Sequence, residues 1–249
     1  MKLGVCCPVW KETRYLPLVL EQMALCPGPQ LLLWQDKPLY WLGTGPAPSG
    51  FASEVGKIAA QFPSVEVVKI EQAAHGDETE PFGGFLQLAL AGFKQLNDRG
   101  VGRVLWLDTD WLFDLYDMQR LYAFLAEAPQ QPPLFAVTAR HYWRDFHHTM
   151  STGDVTVARP STSAGLLDHY EEKDMVRLNI MLYHAAYVWT DSEMYDKVHS
   201  WGHAPLFKER QFYEKEWLGR DDSLVKPQLA DYCLPSSIVD RLNKYEALL

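Results

Sequence analysis

Val104-Leu105-Trp106-Leu107-Asp108-Thr109-Asp110 is the stretch on which the fold turns. Four consecutive apolar residues are what a central strand buried on both faces requires. The run then breaks at once into two carboxylates two residues apart. If the extended geometry persists past Leu107, side chains at that spacing point the same way. Ligands of open α/β sheets gather beyond the carboxyl ends of the strands, which is where this stretch puts Asp108 and Asp110. Hard carboxylate oxygens suit Mg2+ or Mn2+, whose remaining positions take phosphate oxygens, so the pair reads as a candidate metal site. An acidic loop cap is the plainer alternative.

Working outward, short apolar runs alternate with helical patterns through the first half, the signature of strand-helix-strand units. Leu3-Gly4-Val5-Cys6-Cys7 is the first strand, Leu31-Leu32-Leu33-Trp34 the second and Val65 to Ile70 the third. Leu16, Val19, Leu20 and Met23 mark one face of a helix with Thr13 as its N-cap. Ser49 to Gln61 reads as a weaker second helix, and Phe82, Phe85, Leu86, Ala89, Phe93 and Leu96 mark a third, ending near Arg99-Gly100. A further helix carries Met118, Leu121, Tyr122 and Leu125, and Leu134-Phe135-Ala136-Val137 is a fifth strand. The expected fold is α/β: a mostly parallel central sheet flanked by helices.

Beyond this point the pattern changes. Residues 141–175 show little periodicity and read as loop or an active-site flap. Leu178 to Trp189 reads as extended. Thr190 with Glu193 forms a capping box opening a helix with Met194, Val198 and Trp201 inward. Ser236 to Leu249 is a last amphipathic helix. No linker divides the chain, so the expectation is one domain over residues 1–249.

The net charge of −9 argues against a surface coated in positive charge for nucleic acid. No segment approaches the ~20 apolar residues of a membrane span, and the N-terminus lacks the pattern of a signal peptide. Four cysteines without zinc spacing read as buried thiols, and the expectation is a cytoplasmic protein.

Pro8-Val9-Trp10-Lys11-Glu12 follows the first strand, and Asp36 closes the second. With the Asp-x-Asp after the fourth strand, this order resembles the family 2 glycosyltransferases of the GT-A (Rossmann-like) fold. Their usual Pro-x-Tyr-Asn-Glu has Trp10 and Lys11 at its middle positions here. The resemblance implies that Pro8, Trp10 and Glu12 border a nucleotide pocket, that Asp36 contacts the base, and that Asp108 lies near ribose and metal while Asp110 binds the metal. It further implies a nucleotide-sugar-binding half at 1–125 and an acceptor-binding half at 126–249, a UDP-sugar donor, Mn2+ or Mg2+, and a glycan, lipid-linked or small-molecule hydroxyl acceptor.

Trp217-Leu218-Gly219-Arg220-Asp221-Asp222 resembles the family's acidic pair, which implies Asp222 as the base deprotonating the acceptor and Asp221 as its neighbour. Glu216 is an alternative base, and an acidic helix cap the structural alternative. Trp143 and Trp217, flanked by polar residues, are the aromatics expected to face a ligand. His147-His148 is an acceptor-side candidate. Three other functions stay open. One is transfer to hydroxymethylated bases of phage DNA, with Arg140, Arg144, Arg159, Arg177 and Lys173 as a basic rim. The others are a nucleotidyltransferase, for which Trp10-Lys11-Glu12 supplies no Gly-rich loop, and an inactive nucleotide-sugar binding module.

Overall fold

The computed structural model describes residues 1–9, 13–35, 50–70, 83–129, 134–162, 175–200, 212–219, 226–227 and 234–246. Strand β1 (Leu3–Pro8) lies between β2 (Gln30–Trp34) and β4 (Arg103–Trp106), parallel to both, and β3 (Val65–Lys69) runs parallel to β2. These are the strands expected from the apolar runs. Leu31, Leu32 and Leu33 are fully buried, and burying each such side chain contributes roughly 1.5–3 kcal/mol.

Beyond β4 the sheet becomes mixed. β6 (Leu134–Trp143) runs parallel to β8 (Met175–Tyr187), while β7 (Asp145–Pro160) lies antiparallel to β4 and β6. The short β5 (Trp111–Leu112) pairs antiparallel with β8, and β9 (Lys226–Pro227) pairs with β7. The order is β3-β2-β1-β4-β7-β6-β8-β5. Because β5 follows β4 in the chain yet sits at the far end of this order, the sheet curls back on itself. Two antiparallel steps separate β4 from β6, so β1, β2, β4, β6 and β8 all end at one edge.

Helices α1 (Leu16–Ala24), α2 (Phe51–Ala59), α3 (Gly83–Asp98), α4 (Leu115–Glu127), α5 (Asp191–Ser200) and α6 (Ser236–Glu246) flank this sheet. α1 begins after Tyr15 with no side-chain cap, so Thr13 enters only through its carbonyl, which accepts from Leu16 N. Gly100, at φ +75, ends α3 and lets Val101 N reach the Leu96 carbonyl. Such a left-handed C-terminal position favours glycine. Buried Arg103 donates to the carbonyls of Leu125, Ala128 and Pro129, closing the C-terminus of α4 from the foot of β4. Arg241 of α6 likewise reaches Glu21, Phe113 O and Leu18 O, fastening α6 to α1.

The expectation of a loop over residues 141–175 is corrected for residues 141–160, while residues 163–174 lie outside the described residues. β6 continues to Trp143, turns at Arg144 and returns as the 16-residue β7. Its polar residues hid the strand because several positions from His147 to Asp154 face solvent. Pairing with β6, not burial, holds that part of the backbone.

Candidate functional site

The shared carboxyl edge carries Pro8 and Asp108, the described residues of the first half's motifs. Val9 N donates to Leu33 O, Leu107 N to Cys6 O and Ile70 N to Trp34 O, so the ladder carries Pro8, Gln35 and Asp108 to adjacent strand ends. Trp10, Glu12 and Asp36 lie outside the described residues, as do Asp221 and Asp222. Glu216 falls in a turn of π-helix, Phe212–Trp217.

Asp108 and Asp110 do not share a direction along an extended strand. The chain turns after β4, with Trp111 N donating to Asp108 O at 3.1 Å. Asp108 stays half-buried and accepts from Trp106 Nε1 at 2.8 Å. Asp110 goes inside and is only 6% exposed. Lys197 Nζ stands 3.4 Å from its Oδ2 and His184 Nε2 3.3 Å from its Oδ1. Lys197 also donates to Ala186 O at 3.1 Å and lies over the Trp189 ring at 4.7 Å. His184 Nδ1 meets His141 Nδ1 at 2.9 Å, a contact that needs one proton between the two nitrogens. Burial would raise the Asp110 carboxyl, but His184 and Lys197 outweigh it and hold the group well below the usual carboxylate range.

This arrangement bears on the expected metal. Among the described residues no group of three His, Cys, Asp or Glu side chains is placed to hold an ion. A cation on Asp110 would also lie beside the Lys197 ammonium. Two unit charges about 4 Å apart interact by roughly 4 kcal/mol at an effective dielectric near 20, and a doubly charged ion doubles the repulsion. Asp110 as placed engages Lys197 with one oxygen and His184 with the other.

Helix α5 straps the edge together. Its capping box forms as the sequence predicts: Glu193 Oε2 accepts from Thr190 N, and Glu193 N donates to Thr190 Oγ1. Glu193 also holds Arg14, from the segment after β1, at 2.7 Å. One helix therefore reaches the segment after β1 through Glu193 and the segment after β4 through Lys197.

Sequence reading missed Lys197, His184, His141, Arg14 and Asp191. For three of them a signal existed. Lys197 lies three residues after buried Met194 and one before buried Val198, on the inward stripe of a helix. His184 follows Ile180 and Leu182 in the inward alternation of β8, and His141 follows Val137 and Ala139 in that of β6. Asp191, 61% exposed, opens α5 and accepts from Trp217 Nε1 at 2.9 Å, with Arg144 Nη1 at 3.9 Å. Arg144 sits in the left-handed region at φ +65, with its guanidinium 4.5 Å from the Trp217 ring centroid.

Trp143 and Trp217 do not face a ligand. They are 3% and 0% exposed and pack with Met194, Val198 and Phe212 as a second apolar cluster. His147 instead borders a cleft of about 560 Å3 with Arg14, Tyr15, Arg144, Phe146 and Val188. That volume lies in the range of small-molecule sites. Of the basic-rim residues, Arg177 pairs with Asp154 and Arg144 stacks on Trp217, while Lys173 lies outside the described residues.

Burial, and then His184, pushes His141 down to about 4 from its ordinary 6.5, while Asp110 pulls the other way. The unfolded chain therefore binds more protons between those values, and stability is lost as pH falls through that window. Thermal unfolding from pH 7 to about 5 should show a smaller loss for His141→Gln than for the unmodified chain. Equal losses would remove His141 as the cause.

No protein-family model matches this chain, and no curated protein matches it. Among solved structures, S. aureus TarS 1-349 overlaps 90% of this chain and 72% of its own, at 13% identity and a TM-score of 0.43. A CMP:2-keto-3-deoxy-manno-octonic acid synthetase complexed with CTP overlaps 73% of this chain and 90% of its own, at 7% identity and a TM-score of 0.40. A cytidylyltransferase from Leptospira borgpetersenii overlaps 55% and 53%, at 14% identity and a TM-score of 0.33. At these identities and TM-scores the likenesses carry no chemistry from one protein to another. No helix of the described residues is long and apolar enough to cross a membrane.

Proposed function

We propose that this protein is a glycosyltransferase that moves a sugar from a nucleoside diphosphate donor, UDP-linked in the first instance, to a hydroxyl acceptor. One observation carries the reading: Pro8, the end of β2 and Asp108 stand at the carboxyl ends of three neighbouring parallel strands. The donor would lie across the ends of β2, β1 and β4, with Pro8, Trp10 and Glu12 bordering it, Asp36 on the base and Asp108 near the ribose. Transfer would be a single in-line displacement. The acceptor hydroxyl attacks the anomeric carbon, the bond to the diphosphate breaks, and a carboxylate takes the hydroxyl proton.

Asp222, with Asp221 beside it, is the carboxylate implied by the resemblance. Asp191 is a second candidate, because it is exposed at the edge and Trp217 Nε1 fixes one of its oxygens. Asp222→Asn and Asp191→Asn tested side by side separate the two. The true base variant should still bind UDP and lose transfer by a hundredfold or more. If both variants turn over normally, neither residue takes the proton.

The reaction class is tested by incubating the protein with UDP-, GDP-, CDP- and TDP-sugars and following release of nucleoside diphosphate. Slow hydrolysis of one donor, lowered about a hundredfold or more by Asp108→Asn, is the expected result. Release of pyrophosphate from a nucleoside triphosphate and a sugar phosphate would make the protein a nucleotidyltransferase instead. Binding of UDP with no turnover of any donor would leave a binding module.

A further inference from the structure

The sequence expectation gives Asp110 to a metal, whereas the fold gives it to an ammonium group. Lys197 is buried at 8% exposure and held by three features at once: the Asp110 carboxylate, the Ala186 carbonyl and the Trp189 ring. His184 closes the other oxygen of Asp110. The Asp110 backbone is fixed as well, since its carbonyl accepts from Ala185 N at 2.9 Å. Turning the carboxylate out to the edge would take it away from the buried Lys197 ammonium and from His184.

We infer that Lys197 is the permanent counter-ion of Asp110, so that the second carboxylate of the Asp-x-Asp is not a ligand for a divalent cation and nucleotide binding needs no metal through it. Lys197 acts here as a positioning residue. It neutralises a carboxylate that would otherwise repel a diphosphate and ties α5 to the end of β4. The helix is suited to that work because its capping box fixes its N-terminus and Met194 and Val198 seat the face that carries Lys197.

The inference rests in part on the proposed nucleotide donor, so its test begins with Mn2+ alone. Mn2+ titrated into the unmodified protein should bind no more tightly than into Asp110→Asn/Lys197→Met, in which both charges are gone. Lys197→Met alone frees the carboxylate and should gain Mn2+ affinity by about tenfold or more, and Lys197→Arg should not. With UDP as second probe, the dissociation constant of the unmodified protein should differ by less than about threefold between EDTA and Mn2+. The Lys197→Met variant should bind UDP better with Mn2+.

Tighter Mn2+ binding by the unmodified protein than by the double variant would overturn the inference, whether or not Lys197→Met folds. Failure of UDP to bind under either condition would count against the donor reading and leave the Mn2+ comparison to decide this one.

Discussion

Asp110→Asn is expected to lower the unfolding temperature by roughly 10 °C. Removing one partner of a buried ion pair leaves the other charge uncompensated and typically costs about 3–5 kcal/mol. In a chain of this length each kcal/mol shifts the midpoint by roughly 2–4 °C. The uncompensated charge is Lys197, whose side chain is 10% exposed and whose carboxylate partner is 8% exposed. His184 loses its ionised partner too. Asp110→Asn/Lys197→Met should recover part of the loss, because it removes both charges. A melting curve for Asp110→Asn that overlays the unmodified protein would make the carboxylate a surface ligand after all. That outcome would restore the reading taken from the Asp-x-Asp spacing.

Trp217→Ala should be as damaging for a different reason. The indole is fully buried, its centroid 5.1 Å from that of Trp143, and it packs under the Arg144 guanidinium. Deleting a buried tryptophan typically costs about 3–5 kcal/mol, because the site cannot collapse around the lost volume. It would also release Asp191 and leave Arg144 in its left-handed conformation without the stacking that accompanies it. Trp217→Phe divides these effects. It keeps most of the packing and deletes only the N–H that holds Asp191 Oδ1. If Asp191 takes the acceptor proton, that variant should melt within a few degrees of the unmodified protein and still lose turnover. If it melts normally and turns over normally, Trp217 serves packing alone and the base lies elsewhere.

These predictions show how unevenly the site could be read in advance. Pro8 and Asp108 stand at strand ends because apolar runs and the residues that break them are local. The Thr190–Glu193 capping box was legible for the same reason: its partners are three residues apart. Asp110 was legible as an acid beside a strand end but not as a buried one. The turn closed by Trp111 N and Asp108 O is what sends it inward. The long β7 was missed because alternation signals a strand only where one face is buried, and much of this strand is exposed. Trp143 and Trp217 misled through their polar neighbours. Flanking residues report on solvent near the backbone and not on where a large ring packs.

What the amino-acid sequence determined by itself was the alternation of strands and helices through β4, the acidic end of β4 and the cap of α5. Hydrophobic period, turn chemistry and capping act over a few residues, so they can be read along the chain. What only the tertiary structure decided was which charges meet. Lys197 finds Asp110 across 87 residues, and Arg14 finds Glu193 across 179. A carboxylate binds a metal or an ammonium according to what the fold brings within a few ångströms, and that distance is set by the curl of the sheet and the placement of α5 over its carboxyl edge.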